Sequence, residues 1–86
     1  MAPDAIADIV VDARGLACPQ PVIALAKAVR DAPPGTIATV ECTDAAARLD
    51  VPAWARLTGN EYLGERPLTE NKTDGGAFAL TVRLVR

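Results

Sequence analysis

The chain has 86 residues, half of them hydrophobic, and a formal net charge of −2. A chain of this length forms one domain with a single modest core, and its slight acidity and three aromatic residues argue against a nucleic-acid-binding surface, which needs a basic stripe and stacking platforms. Histidine is absent and only two cysteines are present, so we expect no metal site and no Cys–His or Ser–His–Asp catalytic arrangement.

The N-terminal residues 1–7 are predicted to form a flexible tail, and residues 8–86 a single domain. The tail carries acidic residues and no basic segment, which is unlike a signal peptide. The sequence contains no run of about 18 apolar residues, so no membrane span is predicted. We therefore expect a cytoplasmic protein whose cysteines stay reduced.

The first half of the domain predicts a strand, a turn and a helix. Residues 8–12 contain three consecutive β-branched apolar residues and favour a buried strand, and residues 13–17 form a turn around Gly15. A helix follows over residues 19–31, because apolar residues recur at three- and four-residue steps: Val22, Leu25, Ala26 and Val29. Pro33 and Pro34 end it, since neither can donate the backbone bond that would continue it.

The second half begins with a predicted strand over 36–42, followed by a segment over 43–50 that is irregular or a short helical turn. A helix that Asp50 caps and Gly59 ends comes next. A strand over 61–68, a turn over 71–76 and a strand over 77–86 complete the chain. The β-α-β crossover makes the first two strands parallel, and the last two form an antiparallel hairpin. The predicted fold class is an α/β (α+β) two-layer sandwich of order β-α-β-α-β-β, with a mixed four-stranded sheet and both helices on one face.

The candidate reactive residue is Cys18, at the junction of the first strand and the first helix. Proline is favoured at the first helical position, so Pro19 is expected there and Cys18 at the N-cap. The N–H groups of Gln20 and Val22 and the helix dipole would then favour a thiolate, and we expect a lowered pKa for Cys18. The alternative is a buried cysteine that acts as a small hydrophobe.

Residues near Cys18 are assigned supporting roles in the geometry of the site, because they fix the backbone or permit a tight turn: Gly15, Leu16, Pro19, Gln20 and Pro21. Three cations are candidate docking residues for an acidic partner surface: Arg14, Lys27 and Arg30. Cys42 shares a strand face with Ala38 and Val40 and is expected in the core. Asp44 and Asp50 are interpreted as local caps.

The run over residues 12–21, with its Cys-Pro-x-Pro core, resembles the signature of the TusA family of sulfur carrier proteins, also called SirA-like. Further similarity lies at Pro34-Gly35, at Asp44 and in the segments over 50–54 and 73–75. The resemblance implies the same β-α-β-α-β-β sandwich.

The resemblance also implies a function. Cys18 would take sulfane sulfur as a persulfide from a cysteine desulfurase or rhodanese-type donor. It would then pass the sulfur to an acceptor protein, for tRNA thiolation, molybdenum cofactor maturation or sulfur oxidation. No cofactor is implied beyond the covalent sulfur, and no direct nucleic-acid or membrane partner. The protein would act as a carrier rather than as a stand-alone enzyme.

Two other hypotheses remain open from the sequence. A thiol redox protein would need a resolving cysteine close to Cys18, and none is close in sequence. A regulatory or interaction module would use Cys18 only for packing. Gain of one sulfur atom after incubation with a cysteine desulfurase distinguishes the carrier from both.

Overall fold

A computed structural model describes residues 7–68 and 76–85. The elements follow in the order β1 (Ile9–Ala13), α1 (Gln20–Ala28), β2 (Ile37–Cys42), α2 (Ala47–Thr58), β3 (Glu61–Pro67) and β4 (Phe78–Arg83). This order is the predicted one. Residues 1–6 of the predicted tail and residues 71–75 of the predicted turn lie outside the described residues.

The four strands form one mixed sheet in the order β1-β2-β4-β3. β1 and β2 are parallel, as the crossover predicts. β4 runs antiparallel to both β2 and β3, which confirms the antiparallel pairing of the last two strands. β2 and β4 are therefore the inner strands, and nearly all their side chains are shielded by neighbours.

The core lies between one face of this sheet and the two helices. Alternate residues of the inner strands are buried there: Ala38, Val40 and Cys42 from β2, and Phe78, Leu80 and Val82 from β4. Leu25 from α1, and Val51 and Ala55 from α2, complete the same cluster with no exposed surface. Each large apolar side chain buried in this way stabilises the fold by about 1.5–3 kcal/mol. The predicted two-layer sandwich is confirmed.

The first helix begins one residue later and ends earlier than the sequence predicts. Pro19 is the N-cap, with φ −94° and ψ 18°, and Gln20 is the first helical residue. The bond between Cys18 and Pro19 is cis. Because Pro19 is the N-cap, Cys18 lies one position before it, and the prediction that Cys18 is itself the N-cap is wrong.

The second helix begins at Ala47, four residues before the first helical residue predicted from an Asp50 cap. The backbone N–H of Ala46 donates to Asp44 Oδ1 at 3.0 Å, and the N–H of Asp50 donates to the carbonyl oxygen of Ala46 at 3.1 Å. Asp50 is thus inside the helix, and its predicted role as a cap is wrong. The end is as predicted, because Gly59 takes the left-handed conformation with φ 76°. Within the described ranges, no helix is both long and apolar enough to cross a bilayer.

Candidate functional site

Cys18 lies in the loop that joins β1 to α1, two residues before the first residue of the helix. Its side chain is half-buried and packs against the core cluster. The predicted location at the start of the first helix is confirmed, and the residue is partly exposed.

The loop that follows β2 holds the Cys18 loop in place through two hydrogen bonds. The backbone N–H of Cys18 donates to Asp44 Oδ2 at 2.9 Å, and the N–H of Gly15 donates to Thr43 Oγ1 at 2.9 Å. Because Asp44 also accepts the N–H of Ala46, one carboxylate ties Cys18 to the start of α2. These two N–H groups lower the pKa of Asp44. The sequence predicted Asp44 only as a local cap and did not predict its hydrogen bond to the N–H of Cys18.

The supporting residues of the loop take the turn that the glycine predicts. Gly15 has φ 83°, and the N–H of Leu16 donates to the carbonyl oxygen of Ala13 at 3.2 Å. The N–H of Gln20 donates to the carbonyl oxygen of Ala17 at 2.9 Å, so it is not free to bind an anionic sulfur. Pro21 is fully buried and anchors the first turn of α1 in the core.

The surroundings of the Cys18 thiol favour its protonated form. Burial, a hydrogen bond to the Asp50 carboxylate and the negative charges of Asp50, Asp44 and Cys42 raise the pKa of Cys18 to about 11. The prediction of a lowered pKa is therefore wrong. The Gln20 N–H that was expected to favour the thiolate bonds within the loop, and burial and the Asp50 carboxylate act against the thiolate.

A groove of about 360 Å³ lies between the two helices, and its lining includes Pro19, the residue that follows Cys18. Pro19 and Val22 line it from the side of α1, and Asp50, Ala53, Trp54 and Leu57 from α2. Asp50 is the one charged residue in this lining. Leu57 is 87% exposed. Sequence reasoning missed this groove, although Asp50, Trp54 and Leu57 at three- and four-residue spacing could have indicated a shared helix face.

The structure separates the three predicted docking cations. Arg14 lies in the Cys18 loop, and its guanidinium binds the carboxylate of Asp12 at 2.9 and 3.0 Å, which lowers the pKa of Asp12 to about 2. Lys27 is exposed in the last turn of α1, about 10 Å along the helix axis from Gln20. Arg30 is exposed just beyond that helix. Lys27 and Arg30 are thus at the far end of α1 from the thiol.

Cys42 is in the core, as predicted. It has no exposed surface, and its Sγ lies 3.8 Å from the carbonyl oxygen of Val40. Burial, then the charges of Asp44 and Glu41, raise its pKa to about 11. Both cysteines are free thiols. Within residues 7–68 and 76–85, no three His, Cys, Asp or Glu side chains come together in a way that could hold a metal ion.

Residues 9–83 match the family described as Sulfurtransferase TusA. The sulfur carrier protein TusA of Pseudomonas aeruginosa is 36% identical over 76 residues, which cover 88% of this chain and 89% of that protein. Bacillus subtilis YrkF is 45% identical over 58 residues, which cover 67% of this chain but 31% of that longer protein. The crystal structure of a SirA-like protein from Desulfitobacterium hafniense superposes with a TM-score of 0.67 and 26% identity, over 91% of this chain and 99% of the other.

Proposed function

The chain belongs to the TusA sulfurtransferase family and is a sulfur carrier protein, and we propose that Cys18 is the residue that holds the sulfur, as a persulfide. One observation carries this assignment. Of the two thiols in the chain, Cys18 is half-exposed in an anchored loop beside a groove, whereas Cys42 has no surface that a second protein could reach.

Sulfur transfer to Cys18 needs no oxidant. The Cys18 thiolate attacks the terminal sulfur of a donor persulfide, R–S–SH. A bond forms between Cys18 Sγ and that sulfur, while the bond from it to the donor's inner sulfur breaks. The donor leaves as a thiolate and takes up the proton that Cys18 released. Passing the sulfur on to an acceptor thiol is the same exchange, with Cys18 as the leaving group.

A carrier of this kind must meet one protein that supplies sulfur and another that accepts it. We propose that the donor is a cysteine desulfurase or rhodanese-type protein in the cytoplasm. The acceptor would belong to tRNA thiolation, molybdenum cofactor maturation or sulfur oxidation. Residues 14–17 directly precede Cys18 and Pro19 lines the groove, so we expect either partner to contact this loop and the groove when it reaches the sulfur. Leu16 and Ile23 are exposed beside this site and add apolar contact area.

The assignment is tested by loading the protein with a cysteine desulfurase and free cysteine, followed by intact mass measurement. The wild-type protein and Cys42→Ser are expected to gain the mass of one sulfur atom, and Cys18→Ser none. Treatment with dithiothreitol should remove the added mass, because it reduces a persulfide but not a stable thioether. Loading of Cys18→Ser, or sulfur that maps to Cys42 in the wild-type protein, would overturn the assignment.

A further inference from the structure

The peptide unit that joins Ala17 to Cys18 is held at both ends. Its carbonyl oxygen, which belongs to Ala17, accepts the N–H of Gln20 at 2.9 Å. Its N–H, which belongs to Cys18, donates to Asp44 Oδ2 at 2.9 Å. Because a peptide unit is planar, two hydrogen bonds on its opposite sides fix the orientation of the whole unit.

The peptide unit on the other side of Cys18 belongs to the start of α1. Pro19 is the N-cap of that helix, and its carbonyl oxygen accepts the N–H of Ile23 at 3.1 Å. With both neighbouring units held, the backbone torsions of Cys18 are set, and the direction of its Sγ depends on rotation about one side-chain bond. Among the groups that hold these two units, Asp44 alone comes from outside the Cys18 loop and α1.

Asp44 is itself fixed by the beginning of α2. Its Oδ1 accepts the N–H of Ala46 at 3.0 Å, and its backbone carbonyl oxygen accepts the N–H of Ala47 at 3.0 Å. Each carboxylate oxygen thus has its own N–H donor, and a hydrogen bond to an ionised carboxylate is stronger than one between neutral groups. We propose that Asp44 is a positioning residue for sulfur transfer, which orients Cys18 toward a docked protein donor or acceptor.

Orientation matters more for transfer between proteins than for reaction with a small molecule. In persulfide exchange the attacking thiolate has to approach along the bond that breaks. A docked protein presents its sulfur from one direction, so a misdirected Cys18 lowers the rate within the complex. A small reagent approaches from any open side and is less sensitive. This inference rests on the proposed function of Cys18 and names a residue on which that function depends.

The charge of Asp44 acts in the opposite direction to its hydrogen bond. After burial and Asp50, this charge is a further cause that raises the pKa of Cys18. Removing the charge should therefore give more thiolate and faster alkylation. Loss of the hydrogen bond to the Cys18 N–H should instead slow transfer from a protein donor. The two effects are separable, because they change the two rates in opposite directions.

The first experiment compares Asp44→Ala with Asp44→Asn, in Cys42→Ala proteins so that Cys18 is the only thiol. Both variants remove the charge, but Asn keeps an oxygen that can accept the N–H of Cys18. In single turnovers with saturating persulfidated desulfurase, Asp44→Ala should take sulfur on the order of tenfold more slowly than the Cys42→Ala parent. Asp44→Asn should be intermediate. Both should react with iodoacetamide at about pH 8 at least as fast as the parent.

Two further variants are controls for charge and for stability. Asp31→Asn removes an exposed carboxylate beyond the far end of α1, and it should leave both rates unchanged. Thr43→Val removes the acceptor for the N–H of Gly15 and leaves the hydrogen bond to Cys18 in place. It should lower stability but keep the parent rate of transfer. Circular dichroism shows which variants are folded, and Asp44→Asn carries the comparison with Thr43→Val should Asp44→Ala not fold.

Parent-like transfer in Asp44→Ala, or equal transfer in Asp44→Ala and Asp44→Asn, would overturn the positioning role, and so would an equal loss in Thr43→Val. Transfer that rises together with alkylation would assign to Asp44 only the effect of its charge. Failure of the parent protein to take up sulfur would instead refute the proposed function. Solvent exchange of the Cys18 amide hydrogen, which should be faster in Asp44→Ala, decides in that case whether Asp44 holds this peptide unit.

Discussion

Cys42 shows how completely this small core closes around a thiol. The residue has no exposed surface, and its neighbours along the same strand face, Ala38 and Val40, have none either. Its Sγ has one polar contact, the carbonyl oxygen of Val40 at 3.8 Å. Cys42 therefore behaves as a small apolar side chain, and its substitutions report on packing rather than on sulfur chemistry.

Replacing Cys42 by Ser is expected to lower the free energy of unfolding by about 1–3 kcal/mol, because a hydroxyl loses its water there and gains little in return. Urea denaturation measures this change. Cys42→Ala is the matched control, since it removes the polar atom and leaves only a small cavity. Both variants should accept one sulfur atom at the wild-type rate, and a loading defect in either would show that Cys42 takes part in the transfer.

Asp44 predicts a specific dependence of stability on pH. Its pKa is lowered in the folded protein, so its carboxylate stabilises the fold above the unfolded pKa of about 3.9, and this contribution is lost as the pH falls through the folded value. Asp44→Asn should be less stable than the wild-type protein near neutral pH, and the difference should shrink on acidification. Urea denaturation at a series of pH values tests this, with Asp31→Asn as control. A difference that stays constant with pH would contradict the role of the ionised carboxylate.

The charge state of Cys18 marks the limit of what its own neighbourhood in the sequence can predict. The Cys-Pro-x-Pro run correctly places the residue at the start of a helix, where it is partly exposed. Its pKa is raised first by burial and then by the Asp50 carboxylate, which lies more than thirty positions further along the chain. Periodicity and capping patterns describe local structure, and a contact between two separate elements has no local pattern.

At the level of elements, two loops act as one unit. The segment after β2 binds the segment after β1 through Thr43 and Asp44, which accept the N–H groups of Gly15 and Cys18. Both loops leave neighbouring parallel strands, whose register pairs Ala13 with Cys42. The parallel pairing therefore places the two loops side by side, where Asp44 of the second loop accepts the N–H of Cys18 in the first.

Gly15 is expected to be the sensitive position of this unit. A Cβ at Gly15 would meet no atom within 4 Å, so substitution acts through the backbone, which has φ 83°. Gly15→Ala should cost about 1–2 kcal/mol in the free energy of unfolding. Gly15→Asn should cost less, since asparagine tolerates positive φ better than alanine. Urea denaturation of the two variants gives the comparison, and equal stability for wild type and Gly15→Ala would show that the loop relaxes.

The sequence predicted the element order, the parallel and antiparallel pairs and the Gly59 helix end. Alternating apolar residues indicate a strand, apolar residues at helical spacing indicate a helix, and a glycine after a helix indicates its end. The start of α2 was not. Asp50 followed by Val51 and Pro52 has the composition of a helix start, whereas the helix begins at Ala47 and includes Pro52. The Asp44 carboxylate, which accepts the N–H of Ala46, starts the turn earlier and leaves Asp50 inside the helix.

On the scale of the whole molecule, the surface divides into a reactive end and a charged end along α1. Cys18, the anchored loops and the groove lie at the N-terminal end of this helix, and the exposed cations Lys27 and Arg30 lie at the other. The separation along the axis is on the order of the Debye length of about 10 Å at 0.1 M salt. The cations can therefore guide a partner toward the protein without touching the groups that exchange sulfur.

Reversing both charges, with Lys27→Glu and Arg30→Glu, is expected to slow sulfur transfer from a desulfurase at low salt and to flatten the dependence of the rate on salt, because steering acts on the rate of encounter. The alkylation profile of Cys18 and the free energy of unfolding should stay unchanged, since both residues are exposed and remote from the thiol. Arg56→Glu, an exposed reversal in the last turn of α2, is the control for a general charge effect. A double variant that accepts sulfur at the wild-type rate in low salt would show that donors approach over the apolar groove alone.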